Sequence, residues 1–167
     1  MHSSINSNKL DFEEIYQTYW QRIFRLCMGY VNDVDWAKDI AQESFVSVWK
    51  NLPAFRGDSS IGTWIFRIAS NHCLRQIERE NRMPKSDFPP HLVQSEKLSE
   101  EKEEKTNLLY LCISKLPEID RIIISLELED LPQVEIAKIT GLSEANIRVK
   151  IHRIKKKLTQ KFHDHER

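Results

Sequence analysis

The stretch TGLSEANIRVKIHRIKKKL, residues 140–158, opens on a glycine turn and then becomes strongly basic. From Ala145 to Lys161 it carries Arg148, Lys150, Arg153, Lys155, Lys156, Lys157 and Lys161 with no acid among them, although the whole chain has a formal net charge of zero. Upstream, Pro132 opens a short helical segment, QVEIAKIT, which Gly141 ends; Ser143 is placed to cap a longer helix. Short helix, glycine turn and long basic helix is the order of a helix-turn-helix. The spacing meets its packing needs: small Ala137 at the helix crossing, Gly141 four residues later where positive φ is wanted, and branched Ile147 six later to fill the core between the helices, with Ile136, Ile139 and Leu142.

At about 100° per residue, Ile147, Ile151, Ile154, Leu158 and Phe162 fall on one stripe of the last helix. Val149, His152, Arg153 and Lys156 point away from it; Arg148 and Lys155 flank one side, Lys150 and Lys157 the other. A solvated basic face would account for the charges alone. Val149 argues against it, because a β-branched apolar side chain at the outermost point of a basic face has little use in water. In a DNA major groove it can meet a thymine methyl.

Working outward, the pattern is helical throughout. Apolar residues recur at three-and-four spacing, glycine is scarce, and strand-like alternation is hard to find, so the expected fold is all-α. The stretch MPKSDFPPHLVQS holds three of the six prolines and lacks an apolar period. It is read as part of a flexible linker over residues 83–98, between two small helical domains at 8–82 and 99–163. In the C-terminal domain, SEEKEEKTNLLYLCISKL begins with a serine cap and acids that suit a helix dipole, and Pro117 opens EIDRIIISLEL. Acids crowd 96–104 and 127–135, bases the last helix: the chain is segregated rather than neutral throughout.

The N-terminal domain reads as three helices. The first, LDFEEIYQTYWQRIFRLCMGYV, places Phe12, Ile15, Tyr19, Ile23, Leu26 and Tyr30 near one face. After a break in which Asp33 or Asp35 caps, the second buries Ala37, Ile40, Ala41, Ser44, Phe45, Val48 and Leu52. Opposite lie Asp35, Asp39, Gln42, Val46 and Trp49; an outward Val and Trp among acids suits a protein partner rather than DNA. The third helix, from about Ile61 to Arg82, is apolar on two sides. Its remaining stripe is Trp64, Arg67, Asn71, Arg75, Glu78 and Arg82. Cations for phosphate, a ring for stacking and an amide for a base edge are what single-stranded nucleic acid requires.

Other chemistry finds little support. No apolar run is long enough to span a membrane, and the N-terminus MHSSINSNKLDFEE is polar, then acidic, unlike a secretory leader. Cys27, Cys73 and Cys112 are far apart and sit in helical apolar patterns, as buried thiols in a reducing cytoplasm would. No metal site is expected; His163 and His165 belong to a polar tail. There is no paired-carboxylate, nucleophile–base or phosphate-loop pattern, so an enzyme is disfavoured, and neither cofactor nor small-molecule substrate is expected.

Taken together, DIAQESFVSVWKNL, FRGDSSIGTWIFRIASNHCLRQIER and LPEIDRIIISLELEDLPQVEIAKITGLSEANIRVKIHRIKKKL resemble, in order and spacing, regions 2 and 4 of extracytoplasmic-function (ECF) sigma factors, over residues 10–82 and 105–160. The resemblance implies a subunit that brings core RNA polymerase to promoters and performs no chemistry itself. By likeness, Asp35, Asp39, Gln42, Val46 and Trp49 dock on the β′ clamp helices, and region 4 meets the β flap. Phe55, Arg56, Asp58, Ser59, Trp64, Arg67, Asn71 and Arg75 open the −10 element and hold its single strand. Asn146, Arg148, Val149, His152, Arg153 and Lys156 read the double-stranded −35 element. An anti-sigma factor, commonly membrane-bound, is the usual partner. The sequence departs from the family pattern at Ala145 and Asn146, where glycine and threonine are frequent, at Val149, where serine is common, and at Arg75, where an acidic or small polar residue often stands. These departures bear on promoter sequence. A DNA-binding regulator acting without polymerase, and a helical adaptor with no DNA role, are the competing readings.

Overall fold

The structure, a computed structural model, describes residues 11–82 and 100–165, with side chains over 11–76 and 103–165. The linker 83–98, the Ser99 cap and the side chains of Ile77, Glu78 and Arg82 lie outside the described residues. Seven α-helices and a short 3-10 turn, with no strand among the described residues, make the fold all-α as expected.

The N-terminal bundle comprises α1 (Phe12–Val31), α2 (Val34–Asn51) and α3 (Ile61–Arg82), with the 3-10 turn Leu52–Ala54 after α2. Caps fix the ends. Asp11 accepts from the Glu13 amide at 3.0 Å, Asn32 closes α1 in the left-handed region, and Asp33 accepts from the Trp36 amide at 2.9 Å. Asp33, not Asp35, is therefore the α2 cap. The stripe read for α2 is buried from Ala37 to Val48, with Leu52 half-buried at its end.

The C-terminal bundle comprises α4 (Glu100–Ser114), α5 (Glu118–Leu128), α6 (Gln133–Thr140) and α7 (Glu144–His165). The helix-turn-helix is α6 and α7. Gly141 has φ 77° and its amide donates to the Ala137 carbonyl at 2.9 Å. Ser143 Oγ accepts from the Asn146 amide at 3.1 Å and so caps α7. Ile136 and Ile147 are fully buried between the two helices, and Ile151, Ile154 and Leu158 continue the seam.

The two bundles pack directly on each other. Helix α1 lies against α2 and α3 on one side and against α4 and α5 on the other, and α6 rests on α3. The single apolar face read for α1 is thus a correction: Leu26, Cys27, Met28, Gly29 and Tyr30 are consecutive and all buried, because the C-terminal half of α1 belongs to both bundles. Helix α5 answers it with Ile122, Ile123, Ile124, Ser125 and Leu126, buried on every side. At the crossing, a side chain on Gly29 would collide with Ser125 Oγ and come within 3.2 Å of its Cβ. Glycine here sets how closely the helices approach.

Candidate nucleic-acid and partner surfaces

Three of the faces read from the sequence can be located. On α2, Asp35, Asp39, Gln42, Val46 and Trp49 are all exposed, Val46 by 50% and Trp49 by 62%. They recur at three-and-four spacing because the inward positions hold the core stripe. Beside them, α2 and α3 enclose an open cleft of about 670 Å³ lined by Asp39, Gln42, Glu43, Val46, His72, Arg75 and Gln76. Its walls are joined by polar contacts. The Gln76 amide donates to Glu43 at 3.1 Å, His72 Nε2 bonds Ser47 Oγ at 2.8 Å, and Trp36 Nε1 donates to Gln76 at 3.4 Å. Burial, with Arg75 nearby, holds the His72 imidazole below its usual pKa of 6.5, against a weaker pull from Glu43.

The sequence grouped Arg75 with the stripe of Trp64 and Arg67. It is exposed on α3 and also lines the cleft, with Asp39 and Val46. Glu43 and Gln76 were not singled out; each is an ordinary polar residue on an amphipathic helix, and only the α2–α3 crossing joins them.

The second face combines the loop after α2 with the start of α3. Arg56 and Asp58 are exposed, Phe55 and Ser59 half-buried. Trp64 is half-buried, its ring 5.0 Å from that of Phe55, so the two aromatics support each other. Ser60 accepts from the Thr63 amide at 3.2 Å and donates to Thr63 Oγ1 at 2.9 Å, anchoring the loop to the helix. Arg67 and Asn71 are exposed. Arg67 is not a free cation, however: its Nη2 donates to the Lys138 carbonyl of α6 at 3.1 Å. Thr63, one turn earlier, donates to Glu135 of α6 at 2.9 Å.

The third face is α7. Asn146, Arg148, Val149, His152, Arg153 and Lys156 are all exposed, Val149 by 46%. The acids upstream in the sequence take only the flanks: Lys150 pairs with Asp120 at 3.3 Å and Lys155 with Glu127 at 3.0 Å. Among the described residues, no side-chain partner contacts Arg148, Arg153 or Lys156, and the outermost stripe is left open. Two other acids of the 127–135 run turn to the first bundle. Glu129, 7% exposed, meets Arg22 and Arg25, and Glu135 faces Thr63. This division could not be read from charge runs, which record only neighbours along the chain.

Among the described residues no cluster of His, Cys, Asp and Glu could hold a metal, and no helix is long and apolar enough to cross a membrane. Cys27, Cys73 and Cys112 are buried free thiols; Cys27 and Cys73 touch at 3.9 Å, where the contact with Cys73, and then burial, push the Cys27 thiol well up.

Comparison with known proteins agrees with the two-bundle layout. Residues 6–83 match Sigma-70 region 2 and residues 106–158 match Sigma-70 region 4. The chain is 30% identical over 164 residues to the ECF RNA polymerase sigma-E factor of Salmonella typhimurium, covering 86% of this chain and 82% of that protein. It is 26% identical over 169 residues to the ECF sigma factor SigW of Bacillus subtilis, covering 92% and 89%. Among solved structures, the fold is similar to that of the sigma factor RpoE in complex with the anti-sigma factor NepR from Bartonella quintana, with TM-score 0.70 and 19% identity over 91% of this chain and 96% of that one. CnrH in complex with the cytosolic domain of CnrY gives TM-score 0.61 at 23% identity, over 89% and 85%. With both sigma regions matched in order, a helix-turn-helix closing the second, and a relative at 30% identity along most of both chains, the protein belongs to the ECF family of RNA polymerase sigma factors.

Proposed function

We propose that this sigma factor divides promoter work among its three faces. The outer face of α2, with Asp35, Asp39, Gln42, Val46 and Trp49, docks on the β′ clamp helices of core polymerase. Loop 55–60 and α3, through Phe55, Arg56, Asp58, Ser59, Trp64, Arg67 and Asn71, melt the −10 element and hold its single strand. Arg75 lies where it meets either the strand or the polymerase. Helix α7 enters the major groove at the −35 element with Asn146, Arg148, Val149, His152, Arg153 and Lys156. The polymerase makes and breaks the bonds; the sigma factor, working in the cytoplasm, supplies recognition and no catalysis.

One observation carries this reading: apolar side chains stand in water at the centres of two chemically unlike faces. Val46 and Trp49 are at least half exposed among acids, and Val149 is nearly half exposed among bases. An apolar group amid acids fits a protein surface, and one amid bases fits a methyl-bearing groove. The Phe55–Trp64 pair, its rings tilted against each other, offers the aromatic surface that a base extruded from the duplex needs, since extrusion costs a few kcal/mol and stacking returns about 1–3 kcal/mol per base.

One of the two solved neighbours is described in complex with the anti-sigma factor NepR, and the other, CnrH, with the cytosolic domain of CnrY. An anti-sigma factor for this chain would cover the α2 docking face and its cleft, or the exposed apolar residues Leu111, Leu128 and Val134 of the second bundle. The test of function is run-off transcription with purified core polymerase on a pool of random promoters. Enrichment of two spaced elements is expected; absence of any start site refutes the reading.

A further inference from the structure

Arg75 is a cation at a boundary. It follows Asn71 by about one turn of α3, yet it lines the α2–α3 cleft, whose lining includes neither Arg67 nor Asn71. The facing wall, on α2, brings Asp39, Gln42, Glu43 and Val46. Three of the lining side chains are already engaged inside the first bundle. Gln76 donates to Glu43 at 3.1 Å and accepts from Trp36 Nε1 at 3.4 Å. His72 bonds Ser47 Oγ at 2.8 Å and stands 4.0 Å from Glu43. These contacts brace the two walls.

The rest of the lining is uncommitted. Among the described residues, the side chains of Asp39, Gln42 and Arg75 make no hydrogen bond or ion pair, and all three are exposed. Opposite charges therefore border one cleft without pairing, and Val46, 50% exposed, stands with them. A phosphate drawn to Arg75 would also approach the carboxylates of Asp39 and Glu43, whose repulsion opposes the attraction. A protein surface that carries both signs meets no such conflict.

We infer that Arg75 belongs to the polymerase-docking face: the cleft is a two-sign socket in which Asp39 takes a basic side chain of core polymerase and Arg75 an acidic one, with an apolar group against Val46. This rests on the docking role proposed above for α2, and it names the chemistry the polymerase must bring there. Arg75 is then the residue that sets specificity, because a partner surface with bases alone would put a like charge against it.

Arg75→Glu reverses the sign at an exposed position without disturbing the core. Affinity for core polymerase is measured by competition with labelled wild type. Strand opening, read as permanganate reactivity of unpaired thymines on a promoter selected with wild type, is then measured with the polymerase saturated by sigma factor. The variant should bind core polymerase about tenfold more weakly, by a margin that narrows as salt rises, and should open the promoter normally at saturation. Arg75→Lys should keep most of the affinity; a loss equal to that of Arg75→Glu would make shape rather than charge the cause and overturn the socket. The exchange Asp39→Arg/Arg75→Asp keeps the summed charge and should restore nothing, since each side chain meets its own group on the polymerase. Recovery of affinity in that exchange overturns the proposal. So does reduced opening by Arg75→Glu at saturation, which would assign Arg75 to the DNA strand. Trp49→Ala separates the two readings. If it weakens polymerase binding while Arg75→Glu does not, the socket alone fails; if neither weakens it, the docking role of α2 fails as well.

Discussion

Helices α3 and α7 each carry a basic stripe, and the two meet different fates. On α7, acids of the same bundle bind Lys150 and Lys155 at the flanks, leaving Arg148, Val149, Arg153 and Lys156 open. On α3, Arg67 is taken by a backbone carbonyl of the other bundle, and Glu135 stands beside it. The difference teaches that a recognition stripe is defined by what packs across it, as much as by its charges. A flank pair at a surface is worth only about 0–1 kcal/mol and yields readily to a phosphate.

The comparison can be broken most severely through the support of α7. Ile147→Ala removes a fully buried side chain between α6 and α7 and should cost about 2–5 kcal/mol of stability in denaturant unfolding. Double-stranded binding should then fall while the α3 face survives. A loss confined below about 1 kcal/mol would mean that the helix-turn-helix core does not depend on this residue.

Next come the two stripes themselves. Arg153→Ala should weaken binding to a selected −35 duplex by about 1–3 kcal/mol and lower the salt slope by about one. Arg67→Ala should weaken single-strand binding by less than Arg153→Ala weakens duplex binding, because Arg67 is shared with the Lys138 carbonyl. Equal losses would show that the carbonyl bond to Lys138 does not compete with DNA.

A finer test concerns sequence preference. Val149→Ser should reduce the preference for a methyl-bearing base at one −35 position, by about 1 kcal/mol, with little loss of total affinity. An unchanged selection profile removes Val149 from base reading. Of similar size, Ser143→Ala should cost α7 about 1 kcal/mol through its lost cap, seen as a small drop in melting temperature.

The smallest expected effect lies in the α2–α3 cleft. Burial lowers the folded-state pKa of His72 below its ordinary 6.5, so the unfolded chain binds the proton more readily. The contribution of neutral His72 is complete above about pH 6.5 and is lost as pH falls through the unfolded and then the folded value. Melting measured between about pH 7 and pH 5 should show a shallow decline that His72→Gln flattens.

Much of this was legible in the chain itself. The α2 core stripe, the Ser143 cap and the Gly141 turn depend on residues within a few positions of each other, and periodicity exposes them. The outward Val46, Trp49 and Val149 were equally readable, as apolar residues on the wrong side of an amphipathic wheel. The run of buried residues from Leu26 to Tyr30 was a missed signal: LCMGYV is apolar or small all round, which marks a helix enclosed on every side.

Sequence by itself determined the seven helices, the Ser143 cap, the helix-turn-helix and the side chains each helix offers outward. Only tertiary structure decided which of those side chains remain available. Glu129 meets Arg22 across 107 residues and Arg25 across 104, and Arg67 reaches α6 across 71. Helix and cap formation are settled within a turn or two of backbone, whereas pairing between bundles follows from how whole apolar surfaces dock. The choice of partner for a charge is made by that docking, and a linear pattern carries no record of it.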